Sequence, residues 1–271
     1  MTVSVLGCGW LGAPLGSYLV EKGLEVKGST TKAGKMRLIG LDGIDPYLIK
    51  LHPDTIQGDI LAFLDTDVLV LNFPPSATGQ PIEKAFPATV ERVLGEVKKT
   101  GLRKILFVSS TSVYGDQAGK TVTEATPLEP SYHSGKALLQ VEDRLRDDAD
   151  LDVTILRMGG LIGGNRQPHL FLRGRKDLQG GNMPVNLLHQ EDAIRAIAAI
   201  IEQDCWGETF NVVADTHPLR REYYTTAATR RNLIPPQFVA DTSLSGKTVS
   251  NAKIKTMLNF EFRYNDPYLM L

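Results

Sequence analysis

The sequence predicts a doubly wound α/β fold, a parallel sheet covered by helices on both faces, with a small interleaved C-terminal lobe. Three observations carry this. Apolar runs without polar alternation recur through the first 160 residues, amphipathic stretches separate them, and a glycine-rich turn joins the first run to the first helix. A strand buried on both faces loses the alternation of a half-solvated one, and crossover helices are what cover both faces. Ligands of such sheets sit beyond the carboxyl ends of the strands.

Taken in order, Thr2 to Leu6 is the first strand and Leu11 to Lys22 the first helix. Leu24 to Ser29 is the second strand and Tyr47 to Leu51 a weaker third. Asp67 to Phe73 (DVLVLNF) is an apolar run stopped by Pro74-Pro75. Ile82 to Thr100 is a long helix ended by Gly101 and bent at Pro87. Lys104 to Ser109 is a buried strand, Gly135 to Arg146 a helix and Asp152 to Met158 a further strand. Paired glycines then punctuate an irregular stretch before a helix at Glu191 to Gln203 and a strand at Thr209 to Val213. A helix at Arg220 to Arg231 and another capped by Ser250 complete the tail. The expected division is a nucleotide-type domain, 1–158 plus about 190–214, and a small lobe, about 159–189 plus 215–271.

Composition excludes several function classes. Thirty Lys and Arg against 31 Asp and Glu argue against a broadly basic nucleic-acid binder. No run approaches the length of a membrane-spanning helix, and the N-terminus lacks a signal peptide's basic region. Cys8 and Cys205 make no disulfide framework. The expectation is a cytoplasmic protein. The five histidines are scattered, so no metal site is expected.

Gly7-Cys8-Gly9-Trp10-Leu11-Gly12 fits G-x-G-x-x-G between a strand and a helix, the context that gives this pattern meaning. Gly7 makes the tight turn, Gly9 lets backbone approach a pyrophosphate, and Gly12 lets the helix pack on the strand. The pyrophosphate would sit at the helix N-terminus, beside the backbone of Trp10 and Leu11, where the macrodipole favours negative charge. The side chains of Cys8 and Trp10 are read as packing groups. The second strand ends in Ser29-Thr30-Thr31-Lys32 with no carboxylate for a ribose 2′-hydroxyl. Hydroxyls and a cation suit a 2′-phosphate, so NADP is expected in preference to NAD.

Lys104 to Ser109 runs into Ser109-Ser110-Thr111-Ser112-Val113-Tyr114-Gly115, and Tyr132-His133-Ser134-Gly135-Lys136 follows. Tyr and Lys at i and i+4 share a helix face. A free tyrosine titrates near 10, and bringing it to about 7 takes roughly 4 kcal/mol of phenolate stabilisation. A nearby ammonium and an oxidised nicotinamide can supply that. Tyr132 would then exchange a proton with a substrate oxygen held by Ser110.

On these residues the chain resembles the short-chain dehydrogenase/reductase superfamily, in its extended NAD-dependent epimerase/dehydratase branch. Leu156 to Gly163 is similar to the segment entering the substrate lobe, and Asn186 to Asp192 to the stretch returning to the sheet. The resemblance implies a Rossmann domain with Tyr132 and Lys136 as catalytic pair, Lys136 also holding the nicotinamide ribose. It aligns Ser110 with the catalytic hydroxyl, a role Ser112 contests. It sets Asn72 and Pro74, at the fourth strand's exit, beside the dinucleotide. The G-x-G-x-x-G spacing and short lobe resemble an atypical, sugar-epimerase-like subgroup. Gly58-Asp59-Ile60 resembles an adenine-contacting motif but is read as lying inside a helix, a false match.

Arg166, Arg173, Arg175 and Lys176 either bind an anionic substrate group or form a solvated basic loop. The function expected is an NAD(P)-dependent oxidoreductase or epimerase acting on a secondary alcohol or ketone of a sugar or sugar-nucleotide-like substrate. The competing expectation is a non-catalytic NADP-binding redox sensor. A small-molecule substrate and a homodimer through the helices near 82–100 and 135–146 are the expected partners.

Overall fold

The computed structural model describes residues 1–76, 79–240 and 245–271. Its centre is a seven-stranded parallel sheet built from β1 (Thr2–Leu6), β2 (Glu25–Thr30), β3 (Asp45–Leu48), β4 (Val68–Leu71), β5 (Lys104–Ser110), β6 (Asp152–Met158) and β7 (Thr209–Val212). The spatial order is β7-β6-β5-β4-β1-β2-β3. The order reverses between β1 and β4, which opens a crevice above their carboxyl ends. Helices α1 (Gly12–Glu21), α2 (Ala33–Leu41), α3 (Ile60–Leu64), α4 (Ile82–Val97), α5 (His133–Arg146), α6 (Pro168–Phe171), α7 (Gln190–Glu202), α8 (Arg220–Thr229) and α9 (Ala252–Leu258) surround it.

The missing polar alternation has its cause in two cores, one on each face. On one face Val3, Val5, Val68, Val70 and Leu106 pack with Leu15 and Leu19 of α1 and Ile197 and Ile201 of α7. On the other, Leu69, Leu71, Ile105 and Phe107 pack with Val90 and Val93 of α4 and Ala137 and Val141 of α5. Ile254, Leu258, Phe260 and Phe262, from the tail, join the first core. Adjacent side chains along a strand point to opposite faces, so every position of β4 is buried.

Several expected elements change. The third strand is Asp45–Leu48, whereas Lys50–Leu51 pairs antiparallel with Ile56–Gln57 in a separate ribbon. The sequence reading missed α2, which buries Ile39 alone and so leaves almost no apolar stripe. Helix α4 continues through Pro87. Asn251 rather than Ser250 holds the cap position of α9, although the Ser250 hydroxyl accepts from the Ala252 N–H at 3.4 Å. Asp59 is the cap of α3, accepting from the Ala62 N–H at 3.1 Å, so Gly58-Asp59-Ile60 straddles the start of the helix instead of lying inside it.

Candidate functional site

The glycine turn is fixed from both sides. The Gly7 N–H donates to the Ser29 hydroxyl at 2.8 Å, and the Cys8 N–H to the Ser29 carbonyl at 2.8 Å. From β4, the Asn72 side-chain amide donates to the Gly7 carbonyl at 3.0 Å. Gly7 has φ +114°, a conformation L side chains rarely adopt, and a Cβ there would lie 2.5 Å from the Asn72 carbonyl oxygen. A Cβ on Gly12 would lie 2.2 Å from the Gly7 carbonyl oxygen. Gly9 is different: a Cβ there would meet nothing within 4 Å. Two glycines therefore serve packing, and the middle one leaves space for a ligand.

That space is a cavity of about 350 Å³ at the switch point, lined by Gly9, Trp10, Leu11, Asn72, Phe73, Pro74, Pro75, Val108, Ser109, Ser110, Leu138, Leu161 and Arg166. Its volume falls in the range of small-molecule sites. Ser110 ends β5, and its hydroxyl accepts from the Ser112 N–H at 3.1 Å. Ser112 does not line the cavity; Ser109 and Ser110 do, and the Ser109 hydroxyl is committed to Glu142.

Tyr132 and Lys136 are not part of this lining. Tyr132 occupies the N-cap position of α5 and is 75% exposed. Lys136 lies 3.8 Å from Glu83 of α4, and His133 lies 3.1 Å from the same carboxylate. The face of α5 that reaches the cavity carries Leu138 instead. The structure thus brings Ser110 to the glycine turn, while the expected phenol–ammonium pair stands exposed at the first turn of α5, where Gly135 packs against the Ser112 carbonyl just beyond Ser110.

At the end of β2 the four expected contacts divide. Ser29 is buried with its hydroxyl committed to Gly7, and the Thr30 hydroxyl is buried and accepts from the Lys32 N–H at 3.2 Å. Thr31 and Lys32 are exposed just before α2. The Cys8 thiol is buried and its pKa is pushed up by that burial to about 12, consistent with packing alone. Trp10 is more than packing, because its ring lies 4.3 Å beneath the Arg166 guanidinium on the cavity wall. Arg173, Arg175 and Lys176 are exposed and outside the cavity.

Sequence reasoning missed the support beneath Ser110. The Ser109 hydroxyl donates to Glu142 at 2.5 Å, and Arg157 donates to both oxygens of Glu142. Arg157 also donates to the Tyr114 hydroxyl at 2.8 Å, which donates to the Asn211 side chain at 2.8 Å. Glu142 and Arg157 are both buried. Burial works against the Arg157 charge, yet Glu142 holds its pKa above the ordinary value. Burial raises the Tyr114 pKa, partly countered by Arg157. The available signal was an arginine inside an apolar strand, Thr154-Ile155-Leu156-Arg157-Met158.

Among the described residues no group of three or more His, Cys, Asp or Glu side chains could hold a metal. No helix of the described residues is long and apolar enough to cross a membrane. The residues present fit a dinucleotide: an open position at Gly9, the N-terminus of α1, and no carboxylate lining the cavity.

Comparisons with known proteins agree with this geometry. A model described as "NAD dependent epimerase/dehydratase family" matches residues 85–212. The chain is 36% identical to Protein YeeZ of Escherichia coli K12 over 271 residues, covering 99% of this chain and 98% of that protein. It superposes on a UDP-glucuronic acid 4-epimerase from Bacillus cereus in complex with NAD, with TM-score 0.80, 19% identity, and 97% and 94% of the two chains covered. A conserved protein of unknown function from Silicibacter pomeroyi gives TM-score 0.79 at 24% identity, covering 99% and 96%.

Proposed function

We propose, for a chain that belongs to the NAD dependent epimerase/dehydratase family, that it binds a nicotinamide dinucleotide over the glycine turn and uses it on a hydroxyl- or carbonyl-bearing, sugar-like substrate. The carrying observation is the cavity that joins Gly9 and the N-terminus of α1 to Ser110 across the switch point. The dinucleotide, when bound, supplies a hydride acceptor or donor. Gly9, Trp10 and Leu11 would hold its phosphates, and Asn72 and Pro74 would flank its nicotinamide end. Ser110 would hold the reacting oxygen by a hydrogen bond. Exposed Thr31 and Lys32, with no acid beside them, support a 2′-phosphate and hence NADP over NAD. The superposed B. cereus enzyme acts on UDP-glucuronic acid, which supports a sugar-nucleotide class for the substrate.

In this reading Tyr132 exchanges the proton and Lys136 assists it and holds the nicotinamide ribose, both from the exposed N-terminal turn of α5. Their present position favours a second reading, a dinucleotide-responsive binding protein without turnover. One experiment separates the two. Purified protein is titrated with NADPH and NADH, then incubated with the tighter dinucleotide and a panel of UDP-sugars. Net change in nicotinamide absorbance means oxidoreduction, and a new epimer without net change means epimerisation. Either activity should fall at least 100-fold in Tyr132→Phe. Tight dinucleotide binding with no product supports the second reading, and no dinucleotide binding overturns both.

A further inference from the structure

We propose that Arg166, held against the Trp10 indole, binds a phosphate group of the second ligand, the substrate, at the dinucleotide cavity. The proposal rests on the reading that the glycine turn takes a dinucleotide. Its basis is a cation built into the cavity wall. The Arg166 guanidinium carbon lies 4.3 Å from the Trp10 ring centroid, and both side chains line the same cavity as Ser110 and Leu161.

Backbone structure fixes both partners. Gly163 and Arg166 exchange reciprocal N–H to carbonyl bonds at 3.1 and 2.9 Å, closing a tight turn. The turn depends on glycine, with φ +119° at Gly163 and +54° at Gly164. The Gln167 side chain donates to the Gly164 carbonyl at 2.5 Å, and the Gln190 side chain donates to the Trp10 carbonyl at 2.6 Å. The Arg166 backbone is thereby fixed, and its exposed side chain lies against the Trp10 ring.

Its charge is not answered inside the protein. Arg166 has no carboxylate partner among the described residues, as Arg173 and Arg175 have none, but it alone of the three lies against an aromatic ring on the cavity wall. A guanidinium stacked on an aromatic face keeps the N–H donors along its own edge free, where they match phosphate oxygens bidentately. The turn and the α1 N-terminus already answer a dinucleotide pyrophosphate. Arg166 comes from the segment that leaves β6 after Gly160–Ile162, so it answers a second anion beside Ser110.

Arg166→Gln and the double variant Arg173→Gln/Arg175→Gln are compared with the parent chain by calorimetry. The probes are NADPH alone, then UDP and uncharged uridine added to NADPH-saturated protein. We expect Arg166→Gln to weaken UDP at least tenfold while NADPH and uridine stay within twofold, and the double variant to change neither. Unchanged UDP affinity in Arg166→Gln, or no UDP binding by the parent, overturns the proposal. An equal loss for NADPH also overturns it and gives Arg166 to the dinucleotide phosphates. If the parent ignores NADPH but binds UDP through Arg166, the dinucleotide reading fails and the phosphate site stands.

Discussion

Lys136 and Leu138 leave α5 on opposite sides: the lysine lies 3.8 Å from Glu83 of α4, and the leucine lines the cavity above the glycine turn. Two residues along an α-helix are separated by roughly 200° around its axis, so the two side chains leave different faces of α5. Leu138→Phe should therefore fill part of the cavity and weaken dinucleotide binding about tenfold, a cost of about 1.4 kcal/mol. Lys136→Met, which deletes the proposed ribose contact, should weaken it severalfold without filling the cavity. Fluorescence titration of the two variants reads this directly, and unchanged affinity in Lys136→Met would mean that the lysine stays beside Glu83 when ligand binds.

The three turn glycines should separate by what surrounds them. Gly12→Ala forces a methyl against the Gly7 carbonyl oxygen, 2.2 Å from the new Cβ, and backbone cannot rotate away as a side chain can. We expect a loss of about 1–3 kcal/mol in chemical denaturation, the usual cost of overpacking. Gly9→Ala meets nothing within 4 Å, so its stability should match the parent. Its dinucleotide affinity should nevertheless fall, because the methyl occupies the space a pyrophosphate would use. Equal melting curves with equal affinity would show that the phosphates lie elsewhere.

Ser29 and Lys32 stand three residues apart at the end of β2 yet should act on different observables. Ser29→Ala strips the Gly7 N–H of its acceptor, a cost of about 1–3 kcal/mol for an unsatisfied buried donor. That variant should lose stability and bind NADPH and NADH more weakly by similar factors. Lys32→Gln removes an exposed charge, so stability should hold while the ratio of NADPH to NADH affinity falls severalfold. A ratio unchanged by Lys32→Gln would remove the basis for NADP preference.

How much of this was legible follows from range. The sheet, its helices and the turn were readable because each depends on local periodicity and on glycines at fixed spacing. The role of Ser29 was misplaced because its hydroxyl acts across 22 residues, on Gly7, and nothing local marks that partner. The Tyr132–Lys136 pair satisfied helical spacing, but spacing fixes only their relation to each other. Which face of α5 meets the sheet is set by the buried set Gly135, Ala137, Leu138, Val141, Glu142 and Leu145. That set turns Leu138 inward and Lys136 outward.

The buried pair of Glu142 and Arg157 predicts a large and asymmetric response. Glu142→Gln leaves the Arg157 charge without its carboxylate in a buried site, and loss of one partner costs about 3–5 kcal/mol. The paired change Glu142→Leu/Arg157→Met should recover part of that loss, since apolar replacement of a buried pair is often neutral, while Arg146 and Ser109 still lose their bonds to Glu142. Urea denaturation of the two variants tests this. The double variant should still weaken ligand binding, because Ser109 on the cavity wall loses its 2.5 Å bond to Glu142.

The thiol of Cys8 ties the glycine turn to alkaline stability. Burial raises its pKa from an ordinary 9.0 to about 12, the hydrogen bond from backbone offsetting little of that. Between those values the unfolded chain has released the proton while the folded chain keeps it. Native protein then binds more protons than unfolded, so stability falls as pH rises. The contribution is complete below pH 9 and is lost towards pH 12, at up to about 1.4 kcal/mol per pH unit. Cys8→Ala removes this dependence and keeps every other titrating group, including Tyr223, whose pKa burial also raises. The stability advantage of the parent over Cys8→Ala should therefore be constant from pH 7 to 8.5 and shrink steadily from pH 9.5 to 11, about one to two kcal/mol in all. Denaturation curves for the two proteins at matched pH measure it, and a difference that stays constant across the whole range would mean that the thiolate is accommodated in the folded turn.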